Sequence, residues 1–495
     1  MRGNWDMMLI RLYCYNMLLV GIIGLLICSV GCNSINEETR TTQYKQETLE
    51  NMEEPLVIFH DQSAYYLLES FKVSHPEIEI KQVYCDFDEI EKDFGTIDFE
   101  TLITKNGIPD MIIGDPDLSV YLADWFKNGY LADLGVFCAN DVSLNQDDYF
   151  PETFEVFKDD DCIYALPLGI SVDCIIATDS KYLNSSFTNL KEGYTGRELM
   201  NVMIEEIKKK KEKGEYFCEE RFLPFQFMYL LDAIKQTAGE VEIEEELFKL
   251  SYEIAYLSRK ETDEAKNYWH GQGKYYSSDY DYAWPNAFEP RRYEGKFSVG
   301  IWNQGDASAL ALSYAETANQ YYLYEGVQAI YFPTAEKGNE YQAEVEILGG
   351  ICEESNRKEL AYELLRELMD EKISSFGTLC GLIPLGLTQP KVNVYPINIA
   401  NAISILDRFE NQSQVMVFGQ TSAVDYAALL ERRDISKEEK VKYQNMLRGI
   451  TGLYYMNKEL DKINEIFLDY DDADIPDYKN CYLETIQALN DYMKD

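Results

Sequence analysis

Short apolar runs alternate with helical stripes along most of this chain. Leu56-Val-Ile-Phe59 is an uninterrupted apolar run, which predicts a buried strand. After His60-Asp-Gln-Ser63, the residues Ala64, Leu67, Leu68 and Phe71 recur at i, i+3, i+4 and i+7, one face of a helix that Pro76 ends. Glu77 to Val83 alternates as a second strand, and Pro109 to Ile113 reads as a third, closed by Gly114-Asp115. Leu118, Leu122 and Trp125 mark a helix with Trp125 on its core stripe, and Asn128-Gly129 ends it. Strands and helices joined by short connections predict βα units and a mostly parallel sheet.

Later segments repeat this grammar. Tyr164 to Pro167 and Cys174 to Ala177 read as a pair of strands. Glu205 and Glu206 precede Lys209 and Lys210 by four residues, which predicts a solvated, ion-paired helix face. Residues 222–258 read as two helices, and the aromatic-rich stretch 267–295 as loop. Phe297 to Trp302, Val327 to Pro333 and Glu344 to Gly350 predict strands. Ala361, Leu364, Leu365 and Leu368 mark another helix, and beyond about 390 the pattern is helical throughout.

The N-terminus changes the setting. Arg2 and Arg11 precede the apolar run Met17 to Val30, which stops at Gly31-Cys32, the layout of an export signal. The run is about 14 residues long, against the roughly 18 needed to cross a bilayer. Gly31-Cys32 with its polar sequel resembles the lipobox of bacterial lipoproteins, although Ser29 stands where that pattern prefers Leu. The resemblance implies lipidation at Cys32 and placement on the extracytoplasmic face of the cell membrane; a signal-anchor or an ordinary cleaved signal are the alternatives.

With 495 residues, the chain has room for two or three domain-sized units. A formal net charge of −42 excludes nucleic acid as a partner and disfavours a free anionic ligand. Of the 11 cysteines, three fall within residues 1–32 and the others are scattered with no C-x-x-C pair. Zinc and redox spacings are therefore absent, and the three histidines, with no i, i+4 pair, argue against a histidine metal site. Buried free thiols are the simplest expectation, with one or two disulfides as the alternative outside the cytoplasm. Asp159 to Asp161 and the Asp469–Asp474 stretch lack the glycine and terminal glutamate of an EF-hand loop and read as solvated surface. No cofactor is expected.

In order, Phe71-Lys-Val-Ser-His-Pro-Glu-Ile-Glu-Ile80, Pro109-Asp-Met-Ile-Ile-Gly-Asp115, Gly129-Tyr-Leu-Ala-Asp-Leu134 and Tyr164-Ala-Leu-Pro167 resemble the extracellular solute-binding proteins of ABC importers, especially the maltose- and oligosaccharide-binding (family 1-like) branch. Val299-Gly-Ile-Trp302, Gly349-Gly350, Glu359-Leu-Ala361 and Gly381-Leu-Ile-Pro384 extend the likeness across most of residues 55–390. Between about 190 and 295 no motif aligns, and Ala177-Thr178 replaces the Tyr-Asn often found there.

The resemblance implies an α/β, two-lobed, periplasmic-binding-protein-like (type II) fold with a hinge and C-terminal helices. Residues 1–31 would be the signal peptide and 32–54 a flexible tether. Lobe one would be 55–148 plus 346–385, and lobe two 149–345 plus 386–495. It also implies a monomer that is not an enzyme, captures an oligosaccharide between its lobes and hands it to ABC transporter permease subunits.

In open parallel sheets ligands sit beyond the C-terminal strand ends. His60, Asp61 and Gln62 follow the first strand, Asp115 and Asp117 the third, and Ser171 and Asp173 the Tyr164–Pro167 strand; Gly349 is a further candidate. Carboxylates there suit adjacent sugar hydroxyls, and aromatic faces suit the apolar faces of sugar rings. Trp302 with Asn303 at a strand end is the leading aromatic candidate, followed by Trp284, Tyr276 and Trp269. Each of Asp61, Asp115 and Asp117 has a helix N-cap as its alternative role, and Trp302 has core packing. A surface glycoside hydrolase using two carboxylates, and a sensor for a non-sugar ligand such as a peptide, are the competing functions.

Overall fold

The computed structural model describes residues 55–61, most of 64–90, 98–177, 190–212, 216–218, 232–237, 240–257, 297–304, 328–370, 395–404, 437–457 and 478–492, with isolated positions between. For 173–177, 216–218 and 297–304 the description is of the backbone. Gln62, Tyr276, Trp284, Trp269, Cys32, the signal and tether, and Asp469–Asp474 lie outside the described residues.

The strands are β1 (Leu56–His60), β2 (Ile80–Tyr84), β3 (Met111–Gly114), β4 (Lys158–Asp159), β5 (Cys162–Ile163), β6 (Leu166–Ala177), β7 (Tyr216–Cys218), β8 (Ile234–Thr237), β9 (Glu240–Ile243), β10 (Phe297–Gln304), β11 (Gln328–Tyr331), β12 (Tyr341–Ile351) and β13 (Ile450–Tyr454). The helices include α1 (Phe99–Asn106), α2 (Leu118–Lys127), α3 (Leu134–Asn140), α4 (Gly196–Glu212), α5 (245–257), α6 (Lys358–Asp370), α7 (Lys437–Arg448) and α8 (Tyr478–Tyr492).

β1 runs parallel to both β2 and β3, as the βα pattern predicts. Its Leu56, Ile58 and Phe59 are buried, and β3 is buried along its whole length, the mark of a sheet covered on both faces. Asp98 and Asp133 cap α1 and α3 by accepting from Glu100 N and Gly135 N. At the end of α2, Gly129 takes φ +79°, which a residue with a Cβ rarely adopts. Trp125 is buried, as its place on the stripe predicts.

β12 and β6 bring in the antiparallel part. β12 pairs with β3 through Leu348↔Gly114 and with β6 through Val345↔Ile170 and Leu348↔Pro167. The first half of β6 pairs with β12, while its second half pairs with β10 and β11. One strand thus serves two neighbourhoods. Tyr395 adds a third crossing, exchanging two backbone hydrogen bonds with Ile170.

Two hydrophobic cores flank this crossing band. The first gathers Leu56, Phe59, Leu122, Leu166, Ile347 and Leu365; the second gathers Leu199, Met203, Phe248, Phe332, Cys481 and Leu489. Adjacent residues divide between them: Tyr331 and Leu453 belong to the first, Ile330 and Tyr454 to the second.

Four sequence expectations are corrected. The expected pair of strands around 164–177 is the single twelve-residue β6; Pro167 reads as punctuation but stands near the start of the strand beside a register irregularity of the β12–β6 ladder, where a missing N–H is tolerated. The expected first helix of 222–258 gives way, over Ile234–Ile243, to the β8–β9 hairpin, because Val241 and Ile243 alternate with charged residues instead of following a helical period. The all-helical C-terminus is interrupted by β13, whose short apolar run pairs with β12. Finally, Glu206 is buried rather than solvated, and α4 pairs its charges as Lys209–Glu206 at i, i+3 and Lys208–Glu253 across to α5.

Candidate functional site

The C-terminal ends of β1 and β3 form one wall. Asp61 accepts from Ala64 N with Oδ1 (3.3 Å) and from Asp115 N with Oδ2 (2.7 Å), so one carboxylate both closes its own turn and ties the loop after β3 to the loop after β1. Asp115 Oδ1 in turn accepts from Asp117 N at 3.1 Å. Asp117 occupies the N-cap position of α2 but makes no capping bond with its side chain. Asp115 is exposed, and Asp61 and Asp117 are half-buried.

His60 belongs beneath this wall rather than on it. It is buried, and its Nδ1 lies 2.7 Å from the Asp61 carbonyl oxygen, which only accepts, so Nδ1 carries the proton there. Next to it Tyr84, the register partner of His60 at the end of β2, is 58% exposed, with its ring edge-on to the imidazole at 6.1 Å. Tyr84 escaped the sequence reading; its signal is an aromatic closing an alternating strand.

The crossing band supplies the adjoining surface. Ser171 on β6 is fully buried and donates its hydroxyl to Glu346 Oε1 of β12 at 2.5 Å. Two residues further along β6, Asp173 pairs in register with Asn303, and Cys174 with Trp302. Backbone register therefore brings Ser171, Asp173, Trp302 and Asn303 into one short stretch where β6 passes from β12 to β10. Asp115 approaches the same stretch, because Gly114 is the partner of Leu348, two residues from Glu346.

Gly349 is a packing residue. A Cβ there would come within 2.8 Å of Leu365 Cδ2 and 3.2 Å of Leu168 Cδ1, so glycine lets α6 approach β12 closely. Asp159–Asp161 closes the β4–β5 hairpin, with Asp160 at φ +52°. Among the described residues no group of three or more His, Cys, Asp or Glu is arranged to hold a metal ion. The described cysteines Cys85, Cys138, Cys162, Cys352 and Cys481 are in the thiol form, not in disulfides.

Glu346 is the other residue missed from sequence. Along β12, Ala343, Val345 and Ile347 are buried while Gln342, Glu344 and Glu346 are half-buried; from Leu348 onward every residue is buried. Alternating acids inside an apolar strand were the available signal.

No protein-family profile matches the chain, and no curated protein matches it. Solved structures do. An extracellular solute-binding protein of family 1 from Alicyclobacillus acidocaldarius aligns over 89% of this chain and 100% of its own, at 13% identity and a TM-score of 0.53. The sugar-binding protein MalE from Xanthomonas citri aligns over 89% and 98%, at 11% identity and a TM-score of 0.56. A cyclic alpha-maltosyl-1,6-maltose binding protein from Arthrobacter globiformis aligns over 89% and 100%, at 12% identity and a TM-score of 0.53. The chain has the two-lobed α/β fold of periplasmic-type solute-binding proteins, with mixed sheets and flanking helices.

Proposed function

We propose that this protein is an extracytoplasmic receptor that captures an oligosaccharide between its lobes and delivers it to the permease of an ABC importer. The observation that carries the reading is the convergence of two strand-end loops, bearing Asp61, Asp115 and Asp117, on the band where β6 passes from β12 to β10. The starts of these loops contain carboxylates and no Lys or Arg, a composition that favours hydroxyl-rich ligands over anions. Solved proteins of the same fold are described as binding sugars, which supports the ligand class. Cys32 acylation would keep the receptor beside its permease, and capture needs only that the ligand prefer the closed arrangement of the lobes.

The test is thermal unfolding of the mature protein against an oligosaccharide panel. A ligand at 100 times its Kd adds about 2.7 kcal/mol to stability. A panel of neutral di- to tetrasaccharides that leaves the midpoint unchanged overturns the carbohydrate reading.

A further inference from the structure

The burial pattern of β12 changes where β3 ends. From Leu348, the partner of Gly114, onward the strand is covered on both faces; before that point one face opens and carries Glu346 and Glu344. The opened face lies at the C-terminal edge of β3, beside the Asp115 loop, and opposite the middle of β6. Glu346 lies at the register irregularity of the β12–β6 ladder, two residues before Leu348 and four before Gly350, where a Cβ would lie 3.9 Å from Leu122 of α2. Glu346 therefore stands just beyond the apolar seam between β12 and α2, where that seam gives way to the strand-end loops.

Its carboxylate is also held in place. Ser171, 0% exposed, donates to Oε1 at 2.5 Å from the neighbouring strand. A hydroxyl buried in a strand core has few rotamers to lose, so it restricts the carboxylate at low entropic cost. A pre-oriented carboxylate on a rigid strand is a good acceptor for a ligand hydroxyl, and it discriminates against a ligand carboxylate by like-charge repulsion.

We infer that Glu346 is a specificity-determining ligand contact of the interlobe site, oriented by Ser171 as a positioning residue, and that it selects uncharged sugar rings over uronic-acid rings. This rests on the carbohydrate reading of the same cleft. Glu346 accepts a hydroxyl hydrogen bond from the ligand with the carboxylate already aimed.

The test is titration calorimetry of the mature protein and its variants with maltotriose, cellotriose, xylotriose and trigalacturonate. The inference expects binding of at least one neutral trisaccharide and none of trigalacturonate. E346Q should then weaken the neutral ligand by about 10- to 100-fold, the range for a hydrogen bond to a charged group, with an unchanged thermal midpoint. S171A should weaken it less, and should cost less when added to E346Q than on its own, as expected for residues acting through one another. Tighter binding of trigalacturonate, or wild-type affinity in E346Q, overturns the inference while the carbohydrate reading stands. If the wild type binds none of the four, nor any sugar of the wider panel, the carbohydrate reading falls and this inference falls with it.

Discussion

Arg357 forms an ion pair with Asp110 directly beneath the N-terminal ends of β1 and β3. Asp110 is almost fully buried, and its carboxylate also accepts from Val57 N at 2.7 Å and from Ser355 Oγ at 2.6 Å. The edge of the sheet remote from the proposed site is thus clamped by one satisfied charge. Removing Asp110 leaves the guanidinium, the Val57 amide and the Ser355 hydroxyl without it. Asp110→Ala should cost about 3–5 kcal/mol in urea unfolding, and the double variant with Arg357→Met should cost less than the two single changes summed.

Asp61 and Asp115 are separable by experiment. Because Asp61 ties the two strand-end loops together, Asp61→Ala should lower stability by about 1–3 kcal/mol and weaken oligosaccharide binding. Asp115→Ala leaves the Asp115 N–H to Asp61 bond in place, so it should weaken binding with a much smaller change in the urea midpoint.

Gly349→Ala forces a methyl against Leu365 and Leu168. Overpacking of this kind costs about 1–3 kcal/mol. The thermal midpoint should fall while the Kd for any sugar that the wild type binds stays unchanged, as expected of a residue packed under α6 and outside the proposed site.

The buried thiols make stability depend on alkaline pH. Burial pushes Cys352 up to about 11 and Cys481 up to about 12. A thiol raised in the folded state stabilises it fully below the unfolded thiol pKa, near 8.5, and that contribution is lost as pH rises through the folded values. Unfolding free energy should therefore decline between about pH 8.5 and pH 11. At pH 8, iodoacetamide should modify Cys162 before Cys85, Cys138, Cys352 or Cys481 in the native protein, since Cys162 alone of these five is not buried.

Much of the first core was legible in the sequence because each of its elements carries its own period. Leu56–Phe59, the Leu118–Trp125 stripe and the Ala361–Leu368 stripe bury the residues their spacing indicates. Local pattern is a poor guide where tertiary pairing overrides it. Pro167 sits inside a continuous strand, and β13 is a strand only because β12 offers it an edge. At the proposed site, the loop carboxylates are visible as strand-end residues. That His60 is buried, or that Ser171 reaches a glutamate 175 residues away, depends on register that no local window contains.

The division of β6 between two neighbourhoods carries a practical consequence. Leu166 to Ile170 complete one fold and Val172 to Ala177 complete the other. A gene fragment ending or starting at this strand would deprive one product of its missing ladder and expose an open edge on the other. The two halves are therefore obligate co-tenants of one polypeptide, and co-expressing them as separate pieces should give aggregates in place of a reassembled protein.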